Sequence, residues 1–339
     1  MSNQIDIQSA SRITRPLSEG DIPPAQRRLL HTSTHSKWKL LLTVIRHIIM
    51  LPVILILKPV WTILNRGSNA LGSLSALLTF GAVVYGVYSY ILEEPQRKQA
   101  AHNTTWQLIN SANGQAASGG RIEALQQLNE DNISLEGLVA SSANLQQIRL
   151  PNADLKKADL RDANLSYAYL QGAYLEDATL QRSKLMRTDL EYSNLQYVYL
   201  QYANLEGADL QYANLKRAHL ESAELKDAGL QHAQLQGAYL QKANLSHADL
   251  QETNLQGAYL QEANLQSTYL QSAYLKSAYL QYANLQYAYL QGTDFTDADI
   301  AYADFRNSMN LTASQVRLTK NWALAKFDTN LKEALGLNP

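Results

Sequence analysis

The chain has 339 residues, so more than one structural region is expected. It holds no cysteine, which excludes disulfides, zinc–thiolate sites and a cysteine nucleophile. The formal net charge of −1 averages over a gradient: residues 1–100 carry 11 Lys/Arg against 5 Asp/Glu, residues 133–310 carry 13 against 20, and the last 29 carry 4 against 2. A basic front beside apolar runs points to a membrane surface rather than to nucleic acid.

Residues 1–37 are polar, contain Pro16, Pro23 and Pro24, and read as a mobile tail. The apolar run starts too late for a cleavable signal peptide. Residues 40–64, within a region 38–66, are interrupted by Arg46, His47, Pro52 and Lys58. They fit either a helix lying in the membrane interface, anchored by Trp38 and Trp61, or a first membrane helix. Residues 69–92 form a run of 24 without charge. At about 1.5 Å per residue that run can cross a hydrocarbon core of roughly 30 Å, with Tyr85, Tyr88 and Tyr90 at its edge. An integral membrane protein of a bacterial inner or thylakoid membrane is therefore expected, with the lipid bilayer as one partner. With one span the repeats lie across the membrane from the tail; with a hairpin at residues 65–69 they stay on the cytoplasmic side.

Residues 93–132 read as a connector. Thr104 or Thr105 can cap a short helix, residues 114–120 form a small polar loop, and Ile122, Leu125 and Leu128 recur at helical spacing. That second helix is placed to cover the exposed end of whatever sheet follows.

The middle of the chain is one phrase repeated. Large apolar residues stand at Leu145 and at every fifth position to Leu290, then at Phe295, Ile300 and Phe305, 33 in all. Leu135 and Ala140 extend the frame backwards. The residue two places earlier is usually Ala, and the other three positions are mostly polar. A period of five suits neither a helix face nor an alternating strand. A fixed internal period signals a solenoid whose units cover one another.

This pattern resembles the pentapeptide-repeat family, whose consensus is A(D/N)LXX. The resemblance implies an all-β repeat fold over residues 133–307, a right-handed quadrilateral β-helix with four pentapeptides per coil and α-helical caps at both ends. Leu145, Leu165, Leu205, Leu245, Leu285 and Phe305 then lie along one side of the core. About eight coils at ~4.8 Å would make a rod of roughly 40 Å. The 20-residue coil stacks chosen positions into ladders. Tyr199, His219, Tyr239, Tyr259 and Tyr279 form one, and Tyr269 falls under Tyr289. Asn and Gln columns, such as Asn244–Asn264–Asn284 and Gln241–Gln261–Gln281, are expected to bond along the axis. The Tyr/His ladder is the candidate protein-contact surface.

No chemistry is written in the repeat. His219, His232 and His247 fall at different points around the coil, and there is no phosphate loop or zinc spacing. No catalytic, metal or cofactor-binding residue, no cofactor, no small-molecule substrate and no nucleic acid is expected. In residues 311–339, Thr312 and Gln315 match a capping box. The helix it opens should carry Trp322 and Phe327 over the last coil. Asp328 and Gly336 bound a second short helix. This tail resembles that of many cyanobacterial family members, and the Gly119–Leu125 approach resembles the lead-in of membrane-attached members. The reading that follows is a non-enzymatic, membrane-anchored scaffold offering a rigid solenoid to an unknown protein partner. Two alternatives come with it: a DNA-mimicking protector of topoisomerases, as the resemblance allows, and an accessory factor in membrane transport or complex assembly.

Overall fold

The computed structural model describes residues 70–111 and 120–337. The tail, the stretch at 40–64, the hairpin at 65–69 and most of the loop at 114–120 lie outside the described residues. The chain divides into two units, Met1–Gln96 and Arg97–Pro339.

Helix α1 (Ala70–Ser111) begins in the first unit and ends in the second. It corrects the membrane expectation. Among the described residues no helix is long and apolar enough to cross a membrane. The integral-membrane localisation therefore falls, and the two topologies that depended on it fall too. Thr104 and Thr105 start no new helix. Each hydroxyl instead donates to a carbonyl four residues back, Ala100 O at 3.0 Å and Ala101 O at 2.9 Å, and α1 runs on through them.

In the second unit, α2 (Arg121–Glu130) follows Gly120, whose φ of 81° sets the chain direction at the helix start. Leu125 and Leu128 are fully buried and share the solenoid's core cluster, with Ile122 partly buried beside them. His102 of α1 meets the carboxylate of Asp131 at 2.9 Å. Arg121, also fully buried, donates to the Ile109 carbonyl near the end of α1.

The solenoid carries parallel bridges, and every one from Val139↔Asp159 to Tyr289↔Met309 joins residues 20 apart. Each side contributes a single bridged residue rather than a continuous strand. That departs from the expected strands, and the period of five explains it. Two residues of each repeat turn the corner, and only the middle one of the remaining three pairs both up and down. Leu165 to Tyr169 shows the full accounting of donors. Leu165 N and Tyr167 N donate to Lys184 O and Met186 O of the next coil, at 2.7 and 2.8 Å. Tyr169 N donates back to Ile148 O at 2.8 Å, and Ala168 N closes the corner on Leu165 O at 3.0 Å. The fifth donor, Ser166 N, goes to the side chain of Asn164 at 3.1 Å. This last bond gives the Asn or Asp before each Leu its structural role, since it satisfies an amide that no carbonyl reaches.

The corner itself is a type II turn, with positive φ at its second central residue alone. Glycine fills some of these corners, but Tyr, Arg, Lys, Ser and His fill others at φ between 51° and 63°. A left-handed residue other than Gly costs about 1–2 kcal/mol. The axial hydrogen bonds on both sides of every corner offset that cost, each worth about 0.5–1.5 kcal/mol net.

Inside, the Leu and Ala columns are 0–3 % exposed, from Leu135 through Phe305. Where Ser or Thr replaces the Ala, its hydroxyl is satisfied by a nearby carbonyl: Thr188 bonds Leu165 O at 2.9 Å and Thr253 bonds Leu230 O at 2.6 Å. The C-terminal segment has three short pieces, α3 (Ala313–Arg317), a 3-10 turn (Trp322–Leu324) and α4 (Thr329–Leu335). The capping box is present in both directions between Thr312 and Gln315. Its helix stops at Arg317, so Trp322 stands in the 3-10 turn, partly buried. Asp328 sits at the start of α4 but accepts from Asn307 N, at 2.9 and 3.1 Å, rather than from its own helix.

Candidate protein-contact face

The residue before each Leu points away from the core, and a 20-residue coil places equivalents directly above one another. On one side the result is a continuous aromatic column. Tyr199 stacks on His219 at 4.9 Å between ring centres, His219 on Tyr239 at 4.6 Å, Tyr239 on Tyr259 at 5.0 Å and Tyr259 on Tyr279 at 4.9 Å. The rings are within 7° of parallel. Their spacing is that of the coils, about 4.8 Å. It exceeds the 3.5–4.0 Å of carbon–carbon contact, so the rings are offset as aromatic pairs prefer. Their faces are spent on one another. What the column presents outward is ring edges and phenol hydroxyls.

Position in the column sets exposure. The end residues Tyr199 and Tyr279 are exposed, while His219, Tyr239 and Tyr259 are half-buried. At the corner beside the column, Tyr202 and Tyr282 are 67 % and 60 % exposed, and Tyr282 stacks on Tyr302 at 4.9 Å. The middle of this side has Lys216 and Arg217 at one corner and Glu221, Lys242 and Glu262 at the other. His219 Nδ1 lies 3.2 Å from Glu221, and Lys242 lies 3.7 Å from Glu262. The two ends carry charge too. Arg161 holds Asp159 through two bonds of 2.7 and 2.8 Å and lowers its pKa, and Arg182 does the same for Asp162. At the far end burial pushes Asp299 up, but donors from Asn321, Ala301 N and Gln281 outweigh it and the pKa falls.

The amide ladders behave differently from one another. Asn264 donates to Asn244 at 3.0 Å and Asn284 to Asn264 at 3.4 Å, so Asn stacks along the axis. The Gln column beside the aromatic one does not. Its side-chain oxygens at Gln181, Gln201, Gln241, Gln261 and Gln281 are buried without a hydrogen-bond partner. Gln281 instead donates its side-chain amide to Asp299 of the next coil, at 2.7 Å. At the last coil Asp304 takes two bonds from Arg306 and one from Gln286. These overcome the upward push of burial and bring its pKa to about 2.

Two stacks escaped the reading of positions before Leu alone. Tyr192, Tyr212 and His232 stack at 4.9 and 4.7 Å at a corner, as do Tyr282 and Tyr302. Reading the corner position at the same interval of 20 would have found both. Among the described residues no group of three or more His, Asp or Glu could hold a metal ion.

Comparison with known proteins places this architecture. The family model described as "Pentapeptide repeats" matches in 8 copies, spread over residues 134–177, 168–201, 203–241, 228–266, 238–276 and 273–308. No curated protein matches. Among solved structures the chain is similar to HetL, a pentapeptide repeat protein involved in heterocyst differentiation regulation from the cyanobacterium Nostoc sp. strain PCC 7120. The two are 34 % identical over 52 % of this chain and 80 % of that one, with a TM-score of 0.37. It is also similar to alr5209, a pentapeptide repeat protein from Nostoc PCC 7120, at 32 % identity over 35 % of this chain and 83 % of that one, with a TM-score of 0.26. Full-length QnrB1, a plasmid-mediated fluoroquinolone resistance protein, matches at 17 % identity over 47 % of this chain and 95 % of that one, with a TM-score of 0.29. The family matches span just over half of the chain and coincide with the coils described above, and the chain belongs to the pentapeptide-repeat family.

Proposed function

We propose that the protein is a non-catalytic scaffold whose solenoid, right-handed and four-sided as in its family, holds the aromatic column as a contact face for a protein partner. The observation that carries this reading is the unbroken Tyr199–His219–Tyr239–Tyr259–Tyr279 stack flanked by the exposed Tyr202 and Tyr282. Stacking fixes the rings before any partner arrives, so little side-chain entropy is lost on contact. Tyrosine is enriched among residues that dominate interface energies.

The ends support a rod of finite length. Leu125 and Leu128 at one end, and Val316 and Phe327 at the other, belong to the same buried cluster as the coils. Gln126 accepts from the open-edge amide of Arg149 at 3.0 Å, and Gln315 donates to Leu290 O and Thr293 O at 3.0 Å each. Phe305 stacks on Phe327 at 5.6 Å. We read these helices as caps that stop further coils from adding to a bare edge.

Changing Tyr239, Tyr259 and Tyr279 together to Ser in the full chain should weaken capture of the partner at least about tenfold, given ~1–2 kcal/mol for each interface tyrosine. The same triple change at Gln211, Gln231 and Gln251, on the opposite side, should leave capture as it was. Quantitative crosslinking followed by mass spectrometry reads both, with the melting temperature as a folding control. Unchanged capture in the folded tyrosine variant would sink the reading.

A further inference from the structure

We propose that the partner of the aromatic column crosses the cationic corner beside it as an extended acidic segment, with two carboxylates four residues apart. The proposal rests on the column being the contact face. The corner immediately precedes the column in each coil, so Arg217 stands beside His219 and Gly257 beside Tyr259. Over four coils its two positions read Lys216–Arg217, Gln236–Gly237, Gln256–Gly257 and Lys276–Ser277. These hold three cations and no acid, and the sides flanking them turn only Asn, Gln, Tyr and His outward. Lys157 and Arg182 are held by carboxylates one coil away, Glu136 at 2.8 Å and Asp162 at 2.7 Å, whereas Lys216, Arg217 and Lys276 form no ion pair among the described residues. Arg217 leans along the axis, its Cγ 3.6 Å from where a Cβ would stand at Gly237. A Cβ at Gly257 would meet nothing within 4 Å, so the space beyond is open.

Spacing selects an extended chain running along the axis. Lys216 and Lys276 stand three coils apart, about 14 Å at ~4.8 Å per coil. Arg217 leans inward by up to one coil, so the cationic heads are separated by roughly 10–14 Å. Residues on one face of an extended chain recur every ~6.7 Å, and two such steps give about 13 Å. One step is too short, and three steps, about 20 Å, are too long. Carboxylates at i and i+4 therefore meet Arg217 and Lys276, and the side chain at i+2 falls over the open space at Gly257. Acids bound the cationic stretch. Glu176 and Asp177 lie two coils below Arg217, and Asp294 and Asp297 lie one coil above Lys276. A nucleic-acid strand, with one charge about every 3.4 Å, would run into both groups. A short segment with two acids ends before it reaches them. Cations at the rim of the face then steer the segment in and fix its position along the column.

Fluorescence anisotropy with the full chain tests this, using an end-blocked, rhodamine-labelled heptapeptide, Thr-Glu-Thr-Val-Thr-Glu-Thr. A heptapeptide covers little area, so discrimination rather than strength of binding is measured. It should bind about tenfold more tightly than the same peptide with Gln for both Glu. Arg217→Gln with Lys276→Gln should erase that difference. Both positions are exposed, so the melting temperature should hold. Equal binding of the two peptides, binding of neither, or tighter binding of a labelled oligothymidylate would overturn the proposal. Crosslinked capture of the partner separates this proposal from the reading beneath it. The Arg217→Gln, Lys276→Gln chain should lose capture about tenfold. Full capture there, with capture lost from the tyrosine variant, overturns the acidic segment and leaves the aromatic face standing. Capture retained by the tyrosine variant overturns both.

Discussion

Leu205→Ala should lower the unfolding free energy by about 2–5 kcal/mol, the range for a buried Leu truncated in a core that cannot collapse. Leu205 is fully buried, with Leu185 below it and Leu225 above it in the same column, each 1 % exposed. The wall around it is held on both edges. Leu205 N donates up to Glu224 O at 2.7 Å and Asn204 N donates down to Ser183 O at 2.9 Å. Backbone pinned at that spacing cannot move inward to fill a hole. The neighbouring Ala203 and Ala208 are too small to reach into it. The cost should therefore sit toward the upper half of the range. Because each coil touches only its neighbours, destabilisation in the middle splits the rod's cooperativity more than it would at an end. Urea denaturation followed by circular dichroism measures it. Gln256→Ala, at an exposed corner, should change stability by no more than about 0.5 kcal/mol.

A larger effect is expected from removing a single residue. Deleting Gly207 moves every later residue one place back in the coil. Leu210 would then stand at the bridge position that points outward, and the half-buried Gln211 would take the core position of Leu210. A slip of one place carries the whole apolar set out of the core. No cooperative unfolding should remain beyond that point. Deleting residues 203–222 removes far more chain but one whole coil. Tyr202 would join Ala223, the Leu columns would close up without a step, and Tyr199 would stack on Tyr239 in place of His219. That variant should fold and melt cooperatively, less stable only by one coil's share. Thermal melts of the two proteins, side by side, distinguish a coil-based architecture from one that depends on chain length.

These contrasts mark what the sequence made legible. The beat of five was visible because burial enforces it, and multiplying by four brought the columns into view. The capping box at Thr312 and the apolar face of α2 were visible for the same local reasons. Other features were hidden. The 24 uncharged residues at 69–92 read as a span on length and lack of charge, yet among the described residues no helix is long and apolar enough to cross a membrane. Type II corners usually declare themselves by glycine, yet Tyr202, Arg217 and Lys242 occupy them at φ of 60°, 54° and 60°. Hydrogen bonds from coils above and below override the local preference, and those partners are 20 residues away. Asp328 looked like a helix cap, but the amide of Asn307, left open at the last coil, claimed its carboxylate. The Gln columns looked like Asn columns, yet Gln171, Gln231 and Gln281 donate to carboxylates of the next coil, Glu191, Asp249 and Asp299. Each miss concerns a choice between local and axial partners, and in this fold the axial partner usually prevails.

The 20-residue coil underlies the core, the caps and the aromatic face alike, and the chain offers a direct way to test it because it has no cysteine of its own. Ser222 and Lys242 occupy equivalent corners, and Ser222 N already donates to Gln241 O at 2.9 Å. Cysteines placed at both positions should lie one coil apart, about 4.8 Å along the axis. Cysteines at Ser222 and His247 should lie on different corners, on the order of 10 Å apart or more. Dibromobimane, which fluoresces strongly only when both its arms capture neighbouring thiols, should light up the first pair and leave the second dark in the folded protein. Equal labelling of the two pairs, or labelling of the second alone, would contradict the coil and with it every face assigned here.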